Sequence, residues 1–143
     1  MSLFNSLSVS ASGMSAQRQR AEVLVENLAN SETTRTPEGG PYRRKDVVFQ
    51  STAQSSPFAS VFQSELTGQG VEVAEVVEDS RGGDKRYMPG HPDADANGYV
   101  EYPHVNPASD MMDLMGASRG YQANVSAMSA VKDMINRSID LLR

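Results

Sequence analysis

The chain has 143 residues, a net charge of −5 and 38% hydrophobic residues, and it contains no cysteine and no tryptophan. This length allows one domain with extended arms. The negative charge argues against a nucleic-acid partner, and the lack of cysteine excludes disulfides and thiolate metal sites. No apolar run is long enough to span a membrane. We also expect no cleavable signal peptide, because residues 1–20 lack a basic start and an unbroken apolar stretch.

Residues 1–30 carry apolar side chains at alternating spacings of three and four, the pattern of a helix that packs along one side. The apolar row consists of Phe4, Leu7, Ala11, Met14, Ala21, Val25 and Leu28. Arg18 is its one interruption. Gly13 and several serines weaken helix propensity by up to about 1 kcal/mol each. This helix is therefore expected to need a partner.

Residues 31–70 are predicted to form an extended loop, with a short strand at Asp46–Phe49 and a Ser/Gln-rich stretch over 50–70 that is mobile or only locally ordered. Residues 71–105 are predicted to be a small β-rich region. Its first strand is the alternating VEVAEVVE. After a turn at RGGD, Lys85–Met88 is expected to pair back, and Tyr99–Tyr102 adds another short strand to the same small sheet.

Residues 106–143 are predicted to form a second long helix, with Asn106 as its N-cap and Pro107 at its first position. The apolar row of this helix consists of Leu114, Ser118, Tyr121, Val125, Met128, Lys132, Ile135, Ile139 and Leu142. At 1.5 Å per residue the helix would be roughly 54 Å long, more than the small sheet can cover. The apolar rows must therefore pack against each other, against other copies, or both.

The predicted fold is therefore mainly α with a small β region. Long N- and C-terminal helices form a coiled-coil pair, and an extended loop and short β-hairpins lie between them.

One motif suggests catalysis, because Gly116–Gly120 matches the G-x-S-x-G nucleophile elbow with Ser118 as nucleophile. An elbow needs a strand before the serine and a histidine after it. Here the apolar row runs through Ser118, and both histidines lie upstream. We favour a packing role, in which Gly116 and Gly120 allow the close approach of another helix.

A second motif suggests calcium, because Asp93–Gly98 (DADANG) matches the first half of an EF-hand loop. The twelfth position would be His104 instead of glutamate. We favour a hairpin turn and keep calcium as the alternative. His91 and His104 are expected to be surface residues. The sequence thus predicts no catalytic residue, no cofactor and no bound metal.

Two helical motifs resemble the bacterial flagellar axial proteins, specifically the basal-body rod proteins. They are NLAN (Asn27–Asn30) and SRGYQANV (Ser118–Val125). GYVEYPHVNP (Gly98–Pro107) and PYR (Pro41–Arg43) resemble the proximal rod type in particular, while Gly120 stands where serine is more usual.

This resemblance implies a non-enzymatic structural subunit. Such a subunit leaves the cytoplasm through the flagellar type III export apparatus without a cleaved signal. It polymerises with its own copies and other rod proteins in the periplasmic space, into the shaft that carries torque from the membrane-embedded ring to the hook. Its terminal helices form the inner coiled-coil layer. The alternative is a small cytoplasmic helical adaptor or export chaperone of the flagellar system.

The resemblance also assigns roles to residues. Asn27 and Asn30 are expected to end the first helix and fix the turn into the loop. Arg119, Gln122 and Asn124 are expected to make polar contacts to neighbouring subunits, which give an assembly its register. The predicted assembly residues are Phe4, Leu7, Met14, Asn27, Leu28, Asn30, Leu114, Gly116, Arg119, Gly120, Tyr121, Gln122, Asn124, Val125, Met128, Ile135 and Leu142.

Overall fold

A computed structural model describes residues 3–52 and 70–141 of the chain. Most of the Ser/Gln-rich stretch and Leu142 lie outside these residues. The prediction of a mainly helical fold, with two long terminal helices packed together and a small β region between them, is confirmed. Within the described ranges neither helix has the continuous apolar length that a membrane span requires. The elements in chain order are α1 (Leu3–Ala29), β1 (Lys45–Thr52), β2 (Gly70–Glu78), β3 (Asp84–Tyr87), β4 (Tyr99–Tyr102) and α2 (Pro107–Asp140).

The start of α2 is as predicted. The side-chain oxygen of Asn106 accepts hydrogen bonds from the backbone N–H groups of Ala108 (3.1 Å) and Ser109 (3.3 Å). Pro107 occupies the first turn, where its missing N–H costs nothing. Asp110 in the same turn lies at the positive end of the helix dipole. These local interactions fix where α2 begins.

The two helices run antiparallel, and small and polar residues make their contact. Arg20 forms an ion pair with Asp113 (3.5 Å) at one end. Further along, the side chain of Gln17 covers Gly120, and the side chain of Asn124 covers Gly13. We call facing rows the residues that contact each other across the pair, together with the buried residues that continue the same helical spacing. They are Ser10, Gly13, Gln17, Arg20 and Leu24 of α1, and Asp113, Ala117, Gly120, Asn124 and Val131 of α2.

The facing rows are displaced by one residue from the apolar rows that the sequence shows. Met14 follows Gly13, and Tyr121 follows Gly120. As a result Phe4, Val25 and Val125 remain exposed in the chain. The periodicity correctly predicts two amphipathic helices, but it does not identify the side by which each helix contacts the other within one chain.

α2 is longer than α1, with 34 residues against 27. The contacts of Gly13 with Asn124 and of Gln17 with Gly120 place Leu3 opposite about residue 134 of α2. The last turns of α2 therefore extend about 9 Å beyond the level of Leu3. Ile139 and Leu141 in this overhang are exposed.

The strand pairing differs from the prediction. Lys85–Met88 was expected to pair back on VEVAEVVE, but β3 pairs with β4, and β2 pairs with β1 instead. In place of the single small sheet that was predicted, the chain forms two separate two-stranded sheets. β1 is the better partner for β2 because its eight residues match nearly the whole length of that strand, with one bulge at Val48/Phe49.

The β1–β2 hairpin packs on α1. The backbone N–H of Val71 donates to the Ser12 hydroxyl at 3.1 Å. Gly70 lies so close to Ser12 that a Cβ atom there would be 2.8 Å from its oxygen. Val23 and Leu24 line a crevice with Val47 and Phe49 further along α1. The hairpin therefore covers one side of α1 along much of its length.

The close contact at Gly120 leads to a test of the helix pair. A Cβ atom at Gly120 would lie 3.2 Å from the Gln17 side chain, whereas one at Gly116 would meet nothing within 4 Å. We expect Gly120→Leu to lower the free energy of unfolding by about 1–3 kcal/mol relative to Gly116→Leu, since overpacking forces the helices apart. Denaturant titrations followed by circular dichroism measure the difference. Equal stabilities would contradict the observed helix contact.

Candidate assembly site

The end of α1 is anchored by the side chain of Asn27, which is completely buried. Its amide nitrogen donates to the carbonyl of Lys45 at 2.8 Å, and its oxygen accepts from the Lys45 backbone N–H at 2.9 Å. The same oxygen accepts from the Tyr42 hydroxyl at 3.0 Å. An amide side chain carries the same donor and acceptor as a peptide group. Asn27 thus pairs with Lys45 as a strand residue would, and joins α1 to the start of β1.

Asn30 lies in the turn that follows α1. Its amide nitrogen donates to the carbonyl of Glu26 at 2.9 Å, and its oxygen accepts from the Thr33 hydroxyl at 3.2 Å. The Ser31 hydroxyl donates to the carbonyl of Leu28 at 2.8 Å. These side-chain bonds add to the backbone hydrogen bonds that the carbonyls of Glu26 and Leu28 accept from Asn30 and Ser31. Asn30 therefore stabilises the turn locally, whereas Asn27 holds a distant segment.

The start of α2 is held to the same region by an ion pair. Arg44, just before β1, donates to one carboxylate oxygen of Asp110 from Nη2 (2.9 Å) and Nε (3.3 Å), and it also pairs with Asp46. Asp110 is 1% exposed. A buried carboxylate needs such a partner, because an unpaired charge in the interior is costly. We call Asn27, Tyr42, Arg44, Lys45 and Asp110 the junction.

The sequence did not reveal most of the junction. The PYR stretch contains Tyr42 but not Arg44, and the partners of these two residues lie 15 and 66 residues away in the chain. No spacing rule connects such distant residues. The one available signal is the PYR stretch, which marks Tyr42 but does not indicate its partner.

The junction changes the ionisation of Tyr42. Burial, followed by the charges of Glu26 and Glu78, raises the pKa of Tyr42 to about 12. The Lys45 ammonium lies 2.6 Å from a Glu26 carboxylate oxygen, and this hydrogen bond raises the pKa of Lys45. Both groups thus keep their protons in the folded chain at a pH where the unfolded chain would lose them.

The predicted assembly residues fall into three groups by their burial in one chain. Only Asn27 is fully buried. Those partly buried are Leu7, Met14, Leu28, Asn30, Leu114, Gly120, Asn124, Met128 and Ile135. Those exposed are Phe4, Gly116, Arg119, Tyr121, Gln122 and Val125. Tyr121 and Val125 are each 41% exposed, so large apolar area on α2 is left without a cover in the described chain.

Two of these residues have surroundings that the sequence did not indicate. Asn124 donates to the carbonyl of Gly120 at 2.9 Å and lies over Gly13, so its amide faces the partner helix of the same chain. Gly116, expected as a point of close approach, faces open space, while Gly120 and the buried Ala117 lie at the contact of the two helices.

The two chemical motifs have structural roles. Ser118 lies inside α2, so the strand that a nucleophile elbow needs before it is absent. Asp95 accepts hydrogen bonds from the N–H groups of Asn97 (2.8 Å) and Tyr99 (2.9 Å), as expected for the turn. Asp93 accepts from the Thr34 hydroxyl at 2.9 Å. Among residues 3–52 and 70–141, no three histidine or acidic side chains form a group that could hold a metal.

Comparisons with known proteins agree on one family. The model of the flagella basal body rod protein family matches residues 7–35, and that of the flagellar basal body rod FlgEFG protein C-terminal region matches residues 96–141. The chain is 43% identical to the flagellar basal-body rod protein FlgC of Bacillus subtilis, over 99% of each protein. Identity to the FlgC proteins of Borreliella burgdorferi and Salmonella typhimurium is 38% and 40%, over 98% or more of each chain.

The junction predicts a strong effect of Asn27. Asn27→Ala removes the partner of the Lys45 N–H and carbonyl and of the buried Tyr42 hydroxyl, and we expect the free energy of unfolding to fall by about 2–4 kcal/mol. Asn30→Ala is the matched control, because its bonds lie in a partly exposed turn, and it should cost about 1 kcal/mol or less. Denaturant titration of both variants measures the difference. Similar losses in the two would argue against the junction.

The raised pKa of Tyr42 predicts a loss of stability at alkaline pH. The folded chain keeps this proton up to about pH 12, and the unfolded chain releases it near pH 10. The contribution of Tyr42 is therefore complete below pH 10 and is lost as the pH rises through 12. Denaturant midpoints measured between these values should fall for the wild type and fall less steeply for Tyr42→Phe. Parallel curves would contradict the assignment.

Proposed function

The chain belongs to the flagellar basal-body rod proteins of the FlgC type, and from this premise we propose that it polymerises into the rod through its two terminal helices. Its role is that of a structural subunit of the rod. The observation that carries the proposal is the uncovered apolar surface on the helices, with Phe4 76% and Val125 41% exposed. Several large apolar side chains exposed along the helices are typical of a protein that buries them against a partner.

The predicted assembly residues have different roles in this proposal. The apolar ones supply buried area between subunits, and the largest among them are Phe4, Leu7, Met14, Leu28, Leu114, Tyr121, Val125, Met128, Ile135 and Leu142. Arg119 and Gln122 are exposed on α2 and offer directional hydrogen bonds to a neighbour. Gly116, with open space around it, offers a place where a neighbouring helix can approach closely.

We further propose the setting of this assembly. Copies of the chain and other rod proteins surround the subunit in the periplasmic space, after export by the flagellar type III apparatus without a cleaved signal. The resulting shaft carries torque from the membrane-embedded ring to the hook. The role involves no catalysis and no cofactor. Its support is the family, which is one of structural proteins, together with helices long enough to run between neighbouring subunits.

Val125→Asp tests assembly through α2. A carboxylate on this face would be desolvated at a subunit contact, at a cost of several kcal/mol. In a strain whose only copy carries the substitution, we expect no swimming and no chain in isolated basal bodies. Ser126→Asp is the matched control, because Ser126 is the next residue on α2 and is also exposed. It should swim. Swimming by the Val125→Asp strain would refute the proposal, and a wild-type chain that stays in the cytoplasmic fraction would favour an adaptor.

A further inference from the structure

The apolar rows of α1 and α2 lie on the same side of the helix pair. On each helix the apolar row is one residue past the facing row, as Met14 follows Gly13 and Tyr121 follows Gly120. One residue corresponds to a rotation of about 100° about the helix axis, and followed from the N- to the C-terminus this rotation has the same hand in both helices. Because the helices run in opposite directions, this common rotation brings both rows to one side.

The hairpin occupies the opposite side of α1. Ser12, which binds β2 through Val71, precedes Met14 by two residues, and Val23, which lines the crevice with β1, precedes Val25 by two. Two residues correspond to about 200° around a helix. The chain therefore has a side with exposed and partly exposed apolar residues and, across the molecule, a side that carries the hairpin.

The two sides have complementary chemistry. We define the apolar face by Met14, Ala21, Val25, Tyr121 and Val125. Its row is interrupted by Arg18, which pairs with Glu22 at 3.6 Å, and by the exposed Lys132. Both interruptions are positive.

We define the hairpin face as the side of the β1–β2 sheet that points away from α1. It consists of Asp46, Val48, Glu72, Glu75 and Val77. Val48 and Val77 are 45% and 42% exposed. Asp46 pairs with Arg44, and Glu72 accepts from Gln50 at 2.7 Å. The face is thus acidic with an exposed apolar centre.

We propose that the apolar face of one copy packs on the hairpin face of the next copy. The inference rests on the proposed function and names the partner of the surface described there. Apolar side chains meet apolar side chains, and the positive interruptions meet carboxylates. A face-to-face dimer would close after two chains. Contact between opposite sides is able to repeat from copy to copy without closing after two chains, as a rod requires.

The cysteine-free sequence makes this contact testable by cross-linking. The double variant Val48→Cys/Val125→Cys carries one thiol on each face, and each single variant carries one alone. Basal bodies isolated from strains with these copies are treated with a short bismaleimide and analysed by mass. We expect species of twice the chain mass and higher from the double variant, and none from either single variant. Val48→Cys/Ser126→Cys is the matched control and should give at most a trace.

Each other result contradicts the inference. A dimer from Val125→Cys alone would show that apolar faces meet each other. A product containing a different chain would show that another rod protein covers this face. No product, with the double variant present in basal bodies, would exclude the contact while leaving the proposed function intact. If the double variant does not enter basal bodies, the pair Glu75→Cys/Val125→Cys replaces it, and each cross-linking result is interpreted in the same way.

Discussion

The buried amide of Asn27 is the interaction on which the arrangement of this chain depends. It lies at the end of a long helix and pairs with both backbone groups of Lys45, while it also accepts a hydrogen bond from Tyr42. This places β1 beside α1. Arg44, one residue before β1, then reaches Asp110 in the first turn of α2. Both helices are thus attached to the same few residues of the loop. The position of this loop determines how the two helices pair.

The helix pair itself is held by modest interactions. Its facing rows combine glycine, serine, asparagine and glutamine, which allow close approach, with the buried Leu24, Ala117 and Val131. Most of the larger apolar side chains lie one residue further round each helix, where Phe4, Val25, Tyr121 and Val125 are exposed and several others are partly buried. The small residues bring the two helices close together within the chain. In the proposed assembly, the exposed apolar residues would be buried when the subunit meets a neighbour.

Several features followed from the sequence because they depend on residues close in the chain. The N-cap at Asn106 and the helical period of both termini are local, and so is the turn at Asp95–Gly98. Strand pairing was harder, because β1 and β2 are brought together across residues that no turn motif connects. The facing rows were missed because a period shows that a row of apolar residues exists and not what covers it. In the sequence Gly13 only lowers the helix propensity of α1. Its contact with Asn124 shows that a small residue is needed where α2 comes close.

The unequal lengths of the two helices have a consequence for the geometry of any array built from this chain. The helix pair is flush at the end that carries the junction and stepped at the other, where α2 continues with Ile139 and Leu141 exposed. A stack of such units along the helix axis has two different ends, so it possesses a direction. In such a stack one end presents the steps of the longer helix and the other presents flush ends.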